Sequence, residues 1–167
     1  MSRVTIFLIC ASILAACSEP VYVAPEKPTT QKTALTVASA TPPNDLNRRA
    51  AQAINALRAE NRRVPLVYSA QLNRAARMHA ADMNRRQVMS HTGRDGSTPA
   101  NRATRAGYRW CRIAENVAFG QPDLATVLQA WVKSPGHRRN MLDLTVSEFG
   151  IAKVGAYWTL VLGKPGC

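Results

Sequence analysis

The sequence predicts an α+β fold, and three observations carry that reading. Apolar residues recur at helical spacing through much of the chain after residue 44. Two strand-like runs around a glycine turn close the chain. Helical segments come first and the hairpin last, the order of an α+β layer structure. A length of 167 residues with 46% hydrophobic content suits one globular domain. No internal repeat interrupts it.

The first helix starts near Asn44, with Asn44 or Asp45 as its cap. Leu46, Ala50, Ala53, Ile54 and Leu57 share one face, with Arg48, Arg49 and Arg58 placed off it. Pro65 breaks the chain. Ser69 is a good N-cap for a second helix whose apolar face is Leu72, Ala76, His79 or Ala80, and Met83, ending before Ser90. Thr92 to Ser97, with Gly93, Asp95 and Gly96, reads as a loop. Ile113, Val117 and Phe119 then flank Glu115-Asn116 in a short extended segment. A third helix runs from about Pro122 to Lys133, with Leu124, Val127, Leu128 and Trp131 on one face. Ser134-Pro135 reads as an N-cap followed by proline at the first helical position, opening a short fourth helix that carries His137 to Leu142. Phe149 to Ala152 and Tyr157 to Leu162 are expected to pair antiparallel around Gly155. The last run is almost unbroken in apolar residues, which places it centrally in the sheet. Trp131, Trp158 and Tyr108 fit core anchors better than a binding platform.

The start of the chain reads separately, as a signal peptide over residues 1–16. After Arg3, Val4 to Ala16 is a charge-free run of 13 residues, too short to span a bilayer as a helix and suited to the apolar region of a signal. It ends in Leu14-Ala15-Ala16-Cys17, which looks like the bacterial lipobox with Cys17 as the lipidated residue. The alternative is an ordinary secretory signal with a chance cysteine. Stable anchoring takes more than one acyl chain, which a triacylated Cys17 supplies. Ser18 follows, not Asp, so nothing resembles the common inner-membrane retention signal. Residues 17–43 then read as the lipidated cysteine and a flexible linker: five prolines lie between Pro20 and Pro43, and no apolar period is sustained. Fully extended, such a tether reaches roughly 80 Å at ~3.1 Å per residue. The domain proper is expected over 44–167. With Cys10 in the signal and Cys17 lipidated, Cys111 and Cys167 remain as an even pair in an oxidising compartment. A disulfide between them is expected; two free thiols are the alternative.

The order of landmarks carries a resemblance. The chain reads Asn61…Pro65-Leu66, Leu72…Ala75-Ala76…Asp82-Met83, Ser90-His91-Thr92-Gly93, Gly107-Tyr108 and Ala114-Glu115-Asn116-Val117-Ala118. It continues with Trp131…Ser134-Pro135-Gly136-His137-Arg138…Asn140-Met141-Leu142 and Phe149-Gly150-Ile151-Ala152. Taken together these resemble the bacterial branch of the CAP superfamily (cysteine-rich secretory proteins, antigen 5, pathogenesis-related 1), over about residues 45–163. The resemblance implies an α-β-α sandwich with a small central antiparallel sheet. It also implies a cleft of two histidines and two acidic residues, here His91, Glu115, His137 and Glu148. His91 and Glu115 match through the S-H-T-G and A-E-N motifs. His137 and Glu148 follow the bacterial pattern and depart from the eukaryotic one, whose H-F/Y-T-Q motif is absent.

Two neutral imidazoles with carboxylates suit a divalent ion such as Zn2+, so His91 and His137 are its expected ligands. His137 in the first turn of a helix, beside Arg138 and Arg139, is expected to stay neutral, as a metal ligand must. Three readings of the cleft remain open: metal or ligand binding, a structural hydrogen-bond network, and catalysis. Catalysis is the least supported, because G-x-S-x-G and H-E-x-x-H are both missing. His79 reads as a core or edge residue.

Residues 44–167 hold 19 Lys and Arg against 8 Asp and Glu, a net of +11, and 16 of the 19 are arginine. Export and the lack of any reader motif argue against nucleic acid. Anionic lipid, lipopolysaccharide or cell-wall polymer is the expected partner, and solvated helix faces the alternative. The sequence therefore reads as a membrane-anchored protein of the bacterial cell envelope, on the periplasmic side of the outer membrane or at the cell surface. A non-catalytic binding or structural module is favoured over an enzyme. The runner-up is a divalent-metal-dependent hydrolase with Glu115 or Glu148 as base.

Overall fold

The structure, a computed structural model, describes residues 43–167; the signal segment, Cys17 and almost all of the linker lie outside the described residues. The element order is α1 (Asp45–Glu60), β1 (Val67–Tyr68), α2 (Ala70–Arg86), α3 (Pro99–Arg105), β2 (Trp110–Phe119), α4 (Leu124–Lys133), α5 (Pro135–Met141), β3 (Glu148–Val154) and β4 (Tyr157–Pro165). No described helix is long and apolar enough to cross a membrane.

The strands lie in the order β1-β3-β4-β2; β1 runs parallel to β3 and the other pairs are antiparallel. As its composition predicts, β4 sits inside the sheet, paired on both sides. Alternation along the strands then sorts side chains between two helical layers. Phe149, Ile151, Trp158, Leu160, Leu162, Ala114 and Ala118 face α1, α4 and α5, meeting Ile54, Val127, Trp131 and Met141 in the larger core cluster. Ile113, Ala152 and Val161 face the other way, onto Leu72 and Ala76 of α2 and Ala103 of α3. This is an α-β-α sandwich. Helix α2 lies very close to the sheet at Gly150, where a Cβ would overlap the backbone of Asn73. Trp131, Trp158 and Tyr108 are buried, as core anchors should be.

Caps set the helix starts. The side chains of Asn44, Ser69 and Asp123 accept from the backbone N–H of Asn47, Leu72 and Thr126, so the third predicted helix begins at Leu124, two residues later than expected. Ser134 precedes Pro135 as predicted but makes no side-chain cap bond.

Several expectations are corrected. The segment after the Thr92–Ser97 loop holds a further helix, α3, started by a Thr98/Asn101 capping box and Pro99. The two-residue β1 has too little length to show a period. On α1, Ala53 is exposed while Arg58 is inside, 1% exposed. Its guanidinium serves three backbone carbonyls: Nε donates to Val64 O at 2.7 Å, and Nη1 to Met141 O and Asp143 O at 2.8 and 3.1 Å. Burial, then the nearby Arg63 charge, lowers the Arg58 pKa. Three carbonyls at the ends of other segments thus draw a charged side chain onto the apolar face.

Cys111 and Cys167 form a disulfide, with Cα atoms 5.2 Å apart. Gly166 N–H donates to Arg109 O beside it, so the tail is tied to the start of β2 twice.

Candidate functional site

The site lies where β2 forms one edge of the sheet. Because neighbouring residues on a strand point to opposite faces, the Glu115-Asn116 pair reaches both helical layers at once. Glu115 points to the α2 side and Asn116 to the α5 side.

On the α2 side, His91 Nδ1–H donates to Glu115 Oε1 at 2.9 Å, and Arg102 Nη2 donates to Oε2 at 2.7 Å. The Glu115 side chain is 1% exposed and that of Arg102 5%, whereas His91 is about half exposed. The carboxylate can only accept, so the His91 tautomer is fixed with its proton on Nδ1 and Nε2 left over. The hydrogen bond to Glu115 raises the His91 pKa, against opposing burial and the positive field of Arg102. The backbone around His91 is held as firmly. Buried His79 donates through Nε2 to Ser90 O at 2.7 Å, and Arg102 Nη2 also donates to His91 O at 3.0 Å. Burial lowers the His79 pKa, so this histidine serves as a neutral donor.

On the α5 side, Asn116 Nδ2 donates to His137 O at 3.1 Å. Asn140 Nδ2 reaches both Asn116 Oδ1 at 2.9 Å and Glu115 O at 3.2 Å. Trp131 Nε1 donates to Val117 O at 3.2 Å, and its ring centroid lies 6.4 Å from that of His137. Asn116 and Asn140 therefore lock the first turn of α5, and with it His137, to the strand. The His137 pKa is lowered by burial first and then by the charge of His91. The direction matches the sequence expectation; the causes are burial and the facing imidazole.

The structure thus brings His91, Glu115 and His137 to one edge. It does not bring Glu148 there. That residue opens β3 and pairs with Gly163 of β4, which pairs in turn with Ile113 of β2. Two strand spacings, roughly 10 Å, separate it from β2. Its carboxylate instead neighbours Tyr108, whose pKa burial and that negative charge raise. In its place the cleft recruits His79, Arg102 and Asn140. Only Asn140 lay within a recognised motif, and sequence gave it no role.

Zinc is a poor match for these donors. His91 Nε2 and His137 offer two imidazoles, but both Glu115 oxygens are committed, one of them to a guanidinium. Among the described residues no group of three or more His, Cys, Asp or Glu side chains is placed to hold a metal ion. The three protein ligands of a catalytic zinc are not assembled.

Comparison with known proteins agrees with this architecture. The model of the cysteine-rich secretory protein family, CAP, matches residues 51–160. The protein YkwD of Bacillus subtilis is 27% identical over 133 residues, 78% of this chain and 52% of that relative. The chain thus spans about half the length of that relative. An extracellular protein of Bacillus anthracis containing an SCP domain superposes with a TM-score of 0.68 at 24% identity, over 70% of this chain and 39% of that one. An outer surface protein of Borrelia burgdorferi gives a TM-score of 0.68 at 20% identity, over 76% of this chain and 98% of that one.

Proposed function

The chain belongs to the cysteine-rich secretory protein (CAP) family, and on that premise we propose that it is a lipid-anchored, extracytoplasmic module of the bacterial envelope that binds a ligand in the β2-edge cleft without transforming it. The observation that carries this reading is the state of Glu115. With 1% of its side chain exposed and its oxygens paired with His91 Nδ1–H and Arg102, it is placed to orient His91 and is shielded from water and substrate. His91 Nε2 and the His137 ring are the groups left to meet a ligand. The Leu14-to-Cys17 tetrapeptide supports the location, as do two structural neighbours that are an extracellular protein and an outer surface protein. The net charge of +11 over residues 44–167 favours an anionic envelope partner such as lipopolysaccharide or wall polymer.

The cleft reading is tested by titrating the purified protein with lipopolysaccharide and with soluble wall fragments while following the imidazole resonances of His91 and His137. Saturable shifts that His137→Ala abolishes, with no product formed, are expected. A product whose formation depends on His91 would overturn the non-catalytic reading. The location is tested by fractionating cells expressing Cys17→Ser. That variant should leave the membrane fraction or persist as uncleaved precursor; normal maturation and retention would end the anchor.

A further inference from the structure

Next to that cleft, and sharing His79 and Arg102 with it, a hollow of about 760 Å³ opens between α2, the loop around Gly93 to Ser97, and α3. Its size falls in the range of small-molecule sites, roughly 300–1,000 Å³. Six arginines line it, Arg74, Arg77 and Arg85 from α2, Arg94 from the loop, and Arg102 and Arg105 from α3, against two aspartates, Asp82 and Asp95. The aspartates are already occupied: Arg85 and Arg86 pair with Asp82, and Arg105 with Asp95. Arg102 is spent on Glu115. Among the described residues Arg74, Arg77 and Arg94 have no carboxylate within ion-pair distance, so three uncompensated guanidiniums surround one concavity.

Arg102 and His79, which the hollow shares with the cleft, form its buried floor. Met78 and Ala81 add apolar wall beside the cations.

We infer that the hollow between α2 and α3 is a second binding site, for a phosphate-bearing ligand of at least two negative charges attached to a carbon skeleton. Guanidiniums suit phosphate because their planar fork meets two oxygens at once. A single carboxylate would neutralise only one of three free cations. The skeleton follows from the volume, far more than one phosphate fills, and from the apolar wall.

The test titrates the purified protein with inorganic pyrophosphate by calorimetry at low salt. Three forms are compared: the parent, a variant carrying Arg74→Gln, Arg77→Gln and Arg94→Gln, and a control carrying Arg48→Gln, Arg49→Gln and Arg62→Gln from the α1 side. The control loses the same charge. The hollow variant should bind roughly tenfold or more weakly, since one charge-assisted hydrogen bond is worth about a decade in affinity, while the control binds as the parent does. No binding by the parent, or equal weakening in both variants, would overturn the site. If the triple variant loses its thermal transition, Arg94→Gln alone, on the exposed loop, carries the comparison. Cardiolipin vesicles, whose headgroup carries two phosphates, then separate the sources. Displacement of vesicle-bound parent by pyrophosphate assigns a lipid headgroup; pyrophosphate binding without displacement assigns a soluble phosphorylated molecule.

Discussion

Replacing Arg102 by Met removes a charge while keeping length and apolar bulk, so the change tests electrostatics with little cavity left behind. The guanidinium is almost fully buried and donates to Glu115 Oε2 at 2.7 Å, Ser97 O at 2.7 Å and His91 O at 3.0 Å. Its loss strands a buried carboxylate and two carbonyls. Removing one partner of a buried pair costs about 3–5 kcal/mol. For a fold of about 125 described residues, each kcal/mol moves Tm by about 3–5 °C, so a fall of about 10–20 °C is expected by calorimetry at pH 7. Acid should soften the loss, because an unpaired buried carboxylate sheds its charge by taking up a proton. Adding Glu115→Gln should recover part of it, giving a coupling of about 2 kcal/mol in the double-mutant cycle. The positive field of Arg102 lowers the His91 pKa, so that pKa should rise in Arg102→Met when followed by imidazole NMR. A Tm within a few degrees of the parent, together with an unmoved His91 titration, would refute the view that this pair anchors the cleft.

Three further outcomes are expected. His91 has a raised pKa in the folded protein, so its ionisation adds stability that is fully present below its ordinary value of 6.5 and is lost as pH rises through the folded value. The Tm difference between parent and His91→Gln should therefore be largest near pH 5.5 and shrink toward pH 8.5; a difference that grows with pH would reverse the argument. Reducing the Cys111–Cys167 bridge opens a loop of 56 residues, an estimated loss of about 4 kcal/mol; the urea midpoint should fall while the far-ultraviolet dichroism in water is kept, and an unchanged midpoint would deny the bridge any stabilising part. Arg58→Lys should destabilise by about 2–3 kcal/mol in urea unfolding, because one ammonium cannot reproduce the fork that serves Val64, Met141 and Asp143; a variant as stable as the parent would show those carbonyls to be satisfied otherwise.

What the sequence disclosed follows from what each signal encodes. The helices α1, α2, α4 and α5 repeat apolar residues often enough to reveal their buried faces, and the β3–β4 hairpin shows a glycine turn and a run apolar enough for an inner strand. Helix α3 escaped because its seven residues, PANRATR, present alanines among polar groups; its local marks were the capping box at Thr98 and Asn101 and the proline at its start, Pro99. Arg58 stands in phase with Ala50 and Ile54, so spacing alone put it inside, and reading it by charge moved it out. The cleft was half legible. His91, Glu115 and His137 lie in motifs, but Arg102 and His79 act through single contacts 5 to 13 residues away, which leave no periodic mark. Glu148 was assigned by alignment with a pattern, and pattern position does not say which strand lies between.

The amides that tidy this sheet also decide what can approach it. Beyond its short pairing with β1, β3 has its Ile151 N–H and C=O both engaged by the side chain of Asn47, at 3.0 and 3.1 Å. At the opposite margin Asn140 and Trp131 occupy the outward carbonyls of Glu115 and Val117. An incoming extended peptide would find those rungs taken on either side, so strand addition, a common route to both peptide recognition and fibrillar stacking, is obstructed at these positions. A ligand meeting β2 at those rungs would be read by side chains. The same blocking keeps neighbouring copies from zipping together at the high local density that anchoring on a surface would impose.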